Sequence, residues 1–249
     1  MRRIRKSAKN KDNDMIQIKT KERGYVLHEG DDFVVVATMK TTNRKTGDMV
    51  QIWILLRDVS PVEGVKSGLD ADTVCAGCVF ASGNGCYVNV GQAPLAVWKG
   101  YHANIYPTLE MRDYKSVFAG RLLRFGAYGN PSKIPLPKVK ALAKACVAWT
   151  GYFHDWHSMP KRSAVAYGRY FMASTETEAS RLHAKSLGLR YFHVSEDKPD
   201  ETRECLADTI GLTCEQCRLC MGTTKRNQRS IWINPHGSQK TKAVQAARG

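Results

Sequence analysis

The sequence predicts an α/β protein whose βαβ units form a parallel sheet or a partial β/α barrel, with an N-terminal β-hairpin and metal-bound cysteine loops. Three observations carry that expectation. From residue 121 onward, short β-branched and aromatic runs alternate with helical stretches of about a dozen residues, the pattern of parallel βαβ units. Near the N-terminus two apolar runs, 33–38 and 50–56, flank a turn-rich connection. Seven of the eight cysteines fall into two spaced groups.

Each element has its own signal. Phe33-Val-Val-Val-Ala-Thr38 and Val50-Gln-Ile-Trp-Ile-Leu-Leu56 are β-branched and apolar, and Asn43 to Asp48 supplies the turn, so the pair reads as a hairpin. Val59-Ser-Pro-Val-Glu-Gly64 ends regular structure and leads by a short helix or loop to the first cysteines. Residues 91–101 suit a helix with Pro94 in its first turn; residues 104–120 are ambiguous. Residues 121–126 read as a strand running into the turn Ala127-Tyr-Gly-Asn-Pro131. Pro137 opens a helix with Val139, Leu142, Ala143, Cys146 and Val147 on its apolar face, which places Cys146 in the core. Residues 150–154, 169–173, 189–194 and 230–234 read as further strands. A helix over 176–187 has acids at its start and Gly188 at its end.

Length, 249 residues, is enough for one large domain. With 43% hydrophobic and 24% charged residues the chain as a whole is not disordered. No apolar run approaches the ~20 residues of a membrane span, and Met1 to Lys11 lacks the apolar region of a secretory signal. A cytoplasmic setting is expected, the host cytoplasm if the source is viral.

Charge is unevenly placed. The formal net charge is +15, but residues 1–24 and 221–249 each carry a net +6, leaving +3 for the 196 residues between. The organisation expected is a disordered basic arm over 1–24, a single α/β domain over 25–237 with both cysteine groups, and a flexible basic tail over 238–249. Basic ends on a near-neutral body suit contact with a nucleic acid; they equally suit solvated tails.

Cysteine spacing is the sharpest chemical signal. Cys75, Cys78 and Cys86 form C-x2-C-x7-C; Cys205, Cys214, Cys217 and Cys220 form C-x8-C-x2-C-x2-C. Two thiolates in C-x2-C reach one metal without strain, and in a reducing compartment clustered cysteines more often mean metal than disulfide. The second group suits zinc or an iron–sulfur cluster of the 4Fe-4S type, which such x2 spacings also hold. The first group has three thiolates. Either a distant residue completes it, or it is left open so that a metal or cluster iron can meet a ligand.

Candidate catalytic residues lie where strands end, the place where α/β folds collect chemistry. They are Asn130 in the turn after the strand at 121–126, His154 in Tyr-Phe-His-Asp-Trp-His, and His236 in Asn-Pro-His-Gly. Each has a bland alternative: a turn former for Asn130, a structural imidazole for the two histidines. No phosphate-binding P-loop, G-x-G-x-x-G or G-x-S-x-G is present, which excludes those nucleotide and serine-hydrolase chemistries.

Taken together, Cys75-x2-Cys78 with Gly85-Cys-Tyr-Val-Asn89, Phe125-Gly-Ala-Tyr-Gly-Asn-Pro131, Thr150-Gly-Tyr-Phe-His154, Phe171-Met-Ala-Ser174 and Cys214-x2-Cys217-x2-Cys220 before Pro235-His-Gly237 resemble an uncharacterised bacteriophage cysteine-rich family, similar to the phage gene-product-88 proteins. That resemblance spans roughly 48–237 and implies a phage or prophage origin. A looser likeness is to radical S-adenosylmethionine enzymes, partial β/α barrels with three cysteines on a cluster that has one open iron. It implies that Cys75, Cys78 and Cys86 hold the cluster and that S-adenosylmethionine is the cofactor. Those enzymes space their ligands C-x3-C-x2-C, which this chain does not. Two functions follow: a metalloenzyme with an open three-cysteine cluster, or a structural-zinc protein that binds nucleic acid in phage replication or regulation.

Overall fold

A computed structural model describes residues 22–224, 229–237 and 239–248. Among the described residues ten strands and ten α-helices build a mixed α/β architecture. Strands β1 (Gly24–Glu29), β2 (Phe33–Thr38) and β3 (Val50–Leu56) are antiparallel neighbours. The hairpin expected over 33–56 is present, and β1 adds a third strand to it. Residues 1–21 of the expected basic arm lie outside the described residues, and Gly24, assigned to that arm, is instead the first residue of β1.

From β3 onward the pairing turns parallel. Helices α1 (Pro61–Ser67), α2 (Leu69–Asp72), α3 (Ala93–His102) and α4 (Tyr114–Phe118) separate β3 from β4 (Leu122–Tyr128), which lies parallel to β3. Helix α5 (Leu136–Ala145) then leads to β5 (Ala148–Thr150), parallel to β4. These five strands form one sheet in the order β1-β2-β3-β4-β5.

One residue, Gly151, separates β5 from β6 (Tyr152–Phe153), which begins the second sheet. Helix α6 (Lys161–Gly168), β7 (Met172–Thr175), α7 (Glu178–Ser186) and β8 (Tyr191–Val194) continue the βα alternation. Strand β9 (Arg203–Glu204), helices α8 (Leu206–Thr209) and α9 (Cys214–Cys217), and β10 (Ile231–Ile233) follow. The second sheet is ordered β6-β7-β8-β10-β9, and all its pairs are parallel.

The tail expected to be flexible over 238–249 is instead helix α10 (Lys240–Arg248). Its Ala243 is buried, and that packing stabilises a helix too short to persist alone. Cys146 packs against the core, as expected, but at its edge and outside the helix. Helix α5 stops at Ala145, and Cys146 sits half-buried as its cap, its Sγ donating to the Ala143 carbonyl oxygen at 3.7 Å.

The core lies between the sheets and the helices. Leu123 and Phe125 of β4, Val139 and Leu142 of α5, and Phe118 of α4 are fully buried together. Phe153, Trp156, Ala164 and Phe171 extend the same core under the second sheet. Each such side chain removed from water contributes about 1.5–3 kcal/mol if large. Trp156 keeps its indole N–H satisfied by donating to the Ser174 carbonyl oxygen at 2.8 Å. Near the end of β4 the register with β3 shifts between Ile52 and Trp53. Gly126 has φ +68° there, a left-handed conformation that makes the bulge without the cost of a Cβ. The bulge carries Ala127 to Asn130 out over the carboxyl ends of the strands. Among the described residues no helix is long and apolar enough to cross a membrane.

Candidate functional site

The first cysteine group is built by turns. After α2, the Cys75 N–H donates to the Asp70 carbonyl oxygen, Cys78 to Cys75, Ala81 to Cys78, and Cys86 back to Phe80. These bonds of 2.7–3.1 Å coil residues 70–86 so that all three thiols face one cavity of about 440 Å³. The far wall is the carboxyl end of the parallel strands: Gly126 to Asn130 at the end of β4 and His154 after β6. Gln239 and Lys242 at the start of α10 form its lip.

Asn130 ties the two walls together. It is fully buried, and its N–H donates to the Val74 carbonyl oxygen at 2.6 Å. Its Nδ2 donates to the Ala76 carbonyl oxygen, and its Oδ1 accepts from the backbone N–H of Ser132 and of His154. Asn130 therefore fixes the Cys75–Cys78 turn against two strand ends, a positioning role with its polar atoms already committed. Asp70, also buried, accepts from Ser82 Oγ at 2.7 Å and Tyr128 Oη at 3.0 Å, which holds the loop to β4.

His154 is different. It lines the cavity, and its Nδ1 is buried with no hydrogen-bond partner among the described residues. Burial lowers its pKa, against the opposing pull of Glu176 and Asp155. Glu176, at the end of β7, is pushed up by burial and accepts from Ser174 Oγ at 2.6 Å. His236, the third expected residue, is elsewhere: it is exposed, with Nε2 3.0 Å from Lys45 Nζ and Nδ1 3.0 Å from the Asn234 carbonyl oxygen. It does not line the cavity.

Burial pushes the Cys78 thiol up to about 12 and Cys86 up to about 11. Cys75 rises too, through burial and then its neighbours Cys78, Asp70 and Cys86. Such thiols ionise near neutrality only when a cation stabilises the thiolates.

The second group lies at the opposite end of the strands. Thr213 caps α9 in a reciprocal box with Gln216. Cys214 and Glu215 donate from their backbones to the carbonyl oxygens of Lys45 and Thr46, docking α9 on the β2–β3 connection. Cys220 is buried with Met172 and Ile231, the first residues of β7 and β10, and Cys205 packs on the same cluster. Cys214 packs on Met49, Leu122 and Ala148, at the amino ends of β3, β4 and β5. Burial raises Cys205, Cys214 and Cys220, and Cys220 also feels Cys205, Cys214 and Cys217. Arg190 pins the loop that follows by donating to the carbonyl oxygens of Leu219, Met221, Gly222 and Arg229.

In neither group do three cysteines converge on a point that one metal ion could occupy; among the described residues no set of three His, Cys, Asp or Glu does so. All eight cysteines are free thiols. Sequence reasoning missed Asp70, Tyr87, Arg124, Thr150 and Lys242. Of these only Arg124, one charge inside the apolar run Leu-Leu-Arg-Phe, carried a signal.

Comparison with protein-family models, with curated proteins and with solved structures finds no match to this chain.

Proposed function

We propose that this chain is a metallocluster protein, of phage type by its motifs, with an open reaction centre at Cys75, Cys78 and Cys86 and a structural centre at Cys205, Cys214, Cys217 and Cys220. One observation carries the reading: three thiols border a single cavity together with the carboxyl-end residues of parallel strands, where such folds place chemistry. Cys205, Cys214 and Cys220 of the other group pack under the amino ends, where conserving stability is the usual task. The parallel series β3-β4-β5, continued through Gly151 into β6-β7-β8-β10-β9, supports a partial β/α barrel as the frame.

Three soft thiolates lining one cavity suit a polynuclear cluster, each holding a separate corner. A cluster there would supply an electron or an open coordination position. The protein supplies the rest. Asn130 positions the Cys75–Cys78 turn, Asp70 and Tyr128 lock the loop to β4, and His154 offers a neutral imidazole whose free Nδ1 can take or give a proton. Lys242 and Gln239 line the lip.

Anaerobic purification of the full chain, with a visible spectrum and iron, sulfide and zinc analysis, tests this. Broad charge-transfer absorption with iron and acid-labile sulfide in matching amounts is the expected result. Zinc alone, with a featureless visible spectrum, would overturn the cluster and leave structural zinc in its place.

A further inference from the structure

Arg124 is buried at 8% exposure on β4. Among the described residues it makes no ion pair. Its one side-chain hydrogen bond among the described residues runs from Nη2 to Tyr87 Oη at 2.5 Å. A guanidinium has five N–H donors in a fixed fork and stays charged, and a buried charge without a partner costs several kcal/mol. Tyr87 is a poor partner for it: the ring is 72% exposed, and a neutral hydroxyl satisfies one donor without neutralising the charge.

A second, independent observation lies beside it. Thr150 of β5 pairs directly with Arg124 in the parallel register, so the two side chains share a face of the sheet. Thr150 is 2% exposed and its Oγ1 has no hydrogen-bond partner among the described residues. Two polar side chains more than nine-tenths buried, one cationic and one unpartnered, therefore meet on one face, with an exposed tyrosine hydroxyl laid over the cation. Tyr152, Cys214 and Cys220 also face the guanidinium, but none is hydrogen-bonded to it.

We propose that Arg124, Thr150 and Tyr87 form an anion subsite that takes the carboxylate or phosphate group of a small organic ligand. The ligand's oxygens bind the guanidinium fork in a bidentate pair and accept from Thr150 Oγ1. Tyr87 holds the place of that anion in the empty state and swings outward when it binds, which its exposure permits. Tyr87 follows Cys86, so the subsite deepens the reading above and rests on it for one point only, that the ligand's other end reaches the cysteine cavity.

The test is saturable anion binding by the full-length protein. Inorganic phosphate and acetate are titrated separately against chloride at constant ionic strength, followed by calorimetry and by the rise in melting temperature that ligand linkage requires. Tyr87→Phe removes the competing hydroxyl and should tighten binding by about two- to tenfold, the weight of one net hydrogen bond. Arg124→Met and Arg124→Lys should each weaken it at least tenfold. Tighter binding of phosphate marks a phosphorylated ligand; tighter binding of acetate marks a carboxylate. Unchanged affinity in Arg124→Lys, no tightening in Tyr87→Phe, or no saturable binding by the native protein overturns the proposal. Because Tyr87 is exposed, its variant keeps the test valid even if Arg124→Met fails to fold. Metal content is measured on every sample: lost anion binding with full metal separates this subsite from the fate of the clusters.

Discussion

Helix α10 approaches the cysteine loop closely at Gly85, and a single methyl group there should dislodge it. Gly85 has φ +114°, and a Cβ there would lie 2.6 Å from both Cα and N of Ala243. Those are backbone atoms, so the helix itself must retreat. Gly83, two residues earlier, is the natural control: φ is +81°, and a Cβ would meet nothing within 4 Å. Alanine at either position carries the cost of a left-handed non-glycine residue, roughly 1–2 kcal/mol. At 249 residues that lowers the melting temperature by about 2–4 °C per kcal/mol. Gly85→Ala alone also loses the burial of Ala243, roughly 0.8 kcal/mol for its methyl group. It then frees a nine-residue helix that is too short to stay folded without its packing. Hydrogen exchange followed by mass spectrometry reads this directly. Amides of residues 243–248 should exchange at unfolded rates in Gly85→Ala and remain protected in Gly83→Ala. Equal protection in the two variants would refute the claim that this contact seats the helix.

Two other substitutions probe buried polar side chains. Thr150→Val should raise stability by about 1 kcal/mol, because it replaces a buried hydroxyl that has no partner with a methyl group; a loss in denaturant midpoint would show that the hydroxyl is satisfied. His193 is buried, 3.0 Å by Nδ1 from Thr175 Oγ1, and burial first, then Arg181, hold it down to about 4. Its folded pKa lies below the unfolded ~6.5, so its stabilisation is present above that value and is lost as pH falls toward 4, by up to about 1.4 kcal/mol per unit. Urea midpoints measured for the native protein and His193→Gln between pH ~7 and ~5 should converge as the pH falls; parallel curves would exclude His193 as the source.

Much of the frame was legible because local and long-range physics agree there. The runs Val34-Val-Val36 and Ile52-Trp-Ile54 favour strands and are wholly buried, and the apolar face Val139, Leu142 of α5 packs where its period directs. Strand β1 was not legible: Gly24-Tyr-Val-Leu-His-Glu29 follows a charged stretch, and pairing with β2 and with residues 107–109 selects its extended form. Helix α10 has no acid in its first turn, and its stability comes from Gly85 and Ala243 in contact across more than 150 residues of sequence. The cysteine groups were visible from spacing, but not that they sit at opposite ends of the same strands. His154 and Asn130 meet at the cavity because both end parallel strands; His236 follows β10 yet turns away to Lys45. Arg124 shows the limit most clearly. A charge in a strand reads as a solvent-facing residue, whereas the register with Thr150 turns it inward.

The central claim is that the two cysteine groups do different work, and paired variants test it most directly. Cys86→Ala and Cys217→Ser are purified anaerobically beside the native protein, and iron, sulfide, zinc and melting temperature are measured on each. On the proposed reading the cavity group adds little to the fold, whereas metal on the second group would contribute folding free energy, since no preformed site exists in the unfolded chain. Cys86→Ala should lose one cluster's worth of metal with a melting temperature close to native. Cys217→Ser should lose metal and stability together. Equal destabilisation by the two substitutions, or full metal content in either variant, would contradict the account.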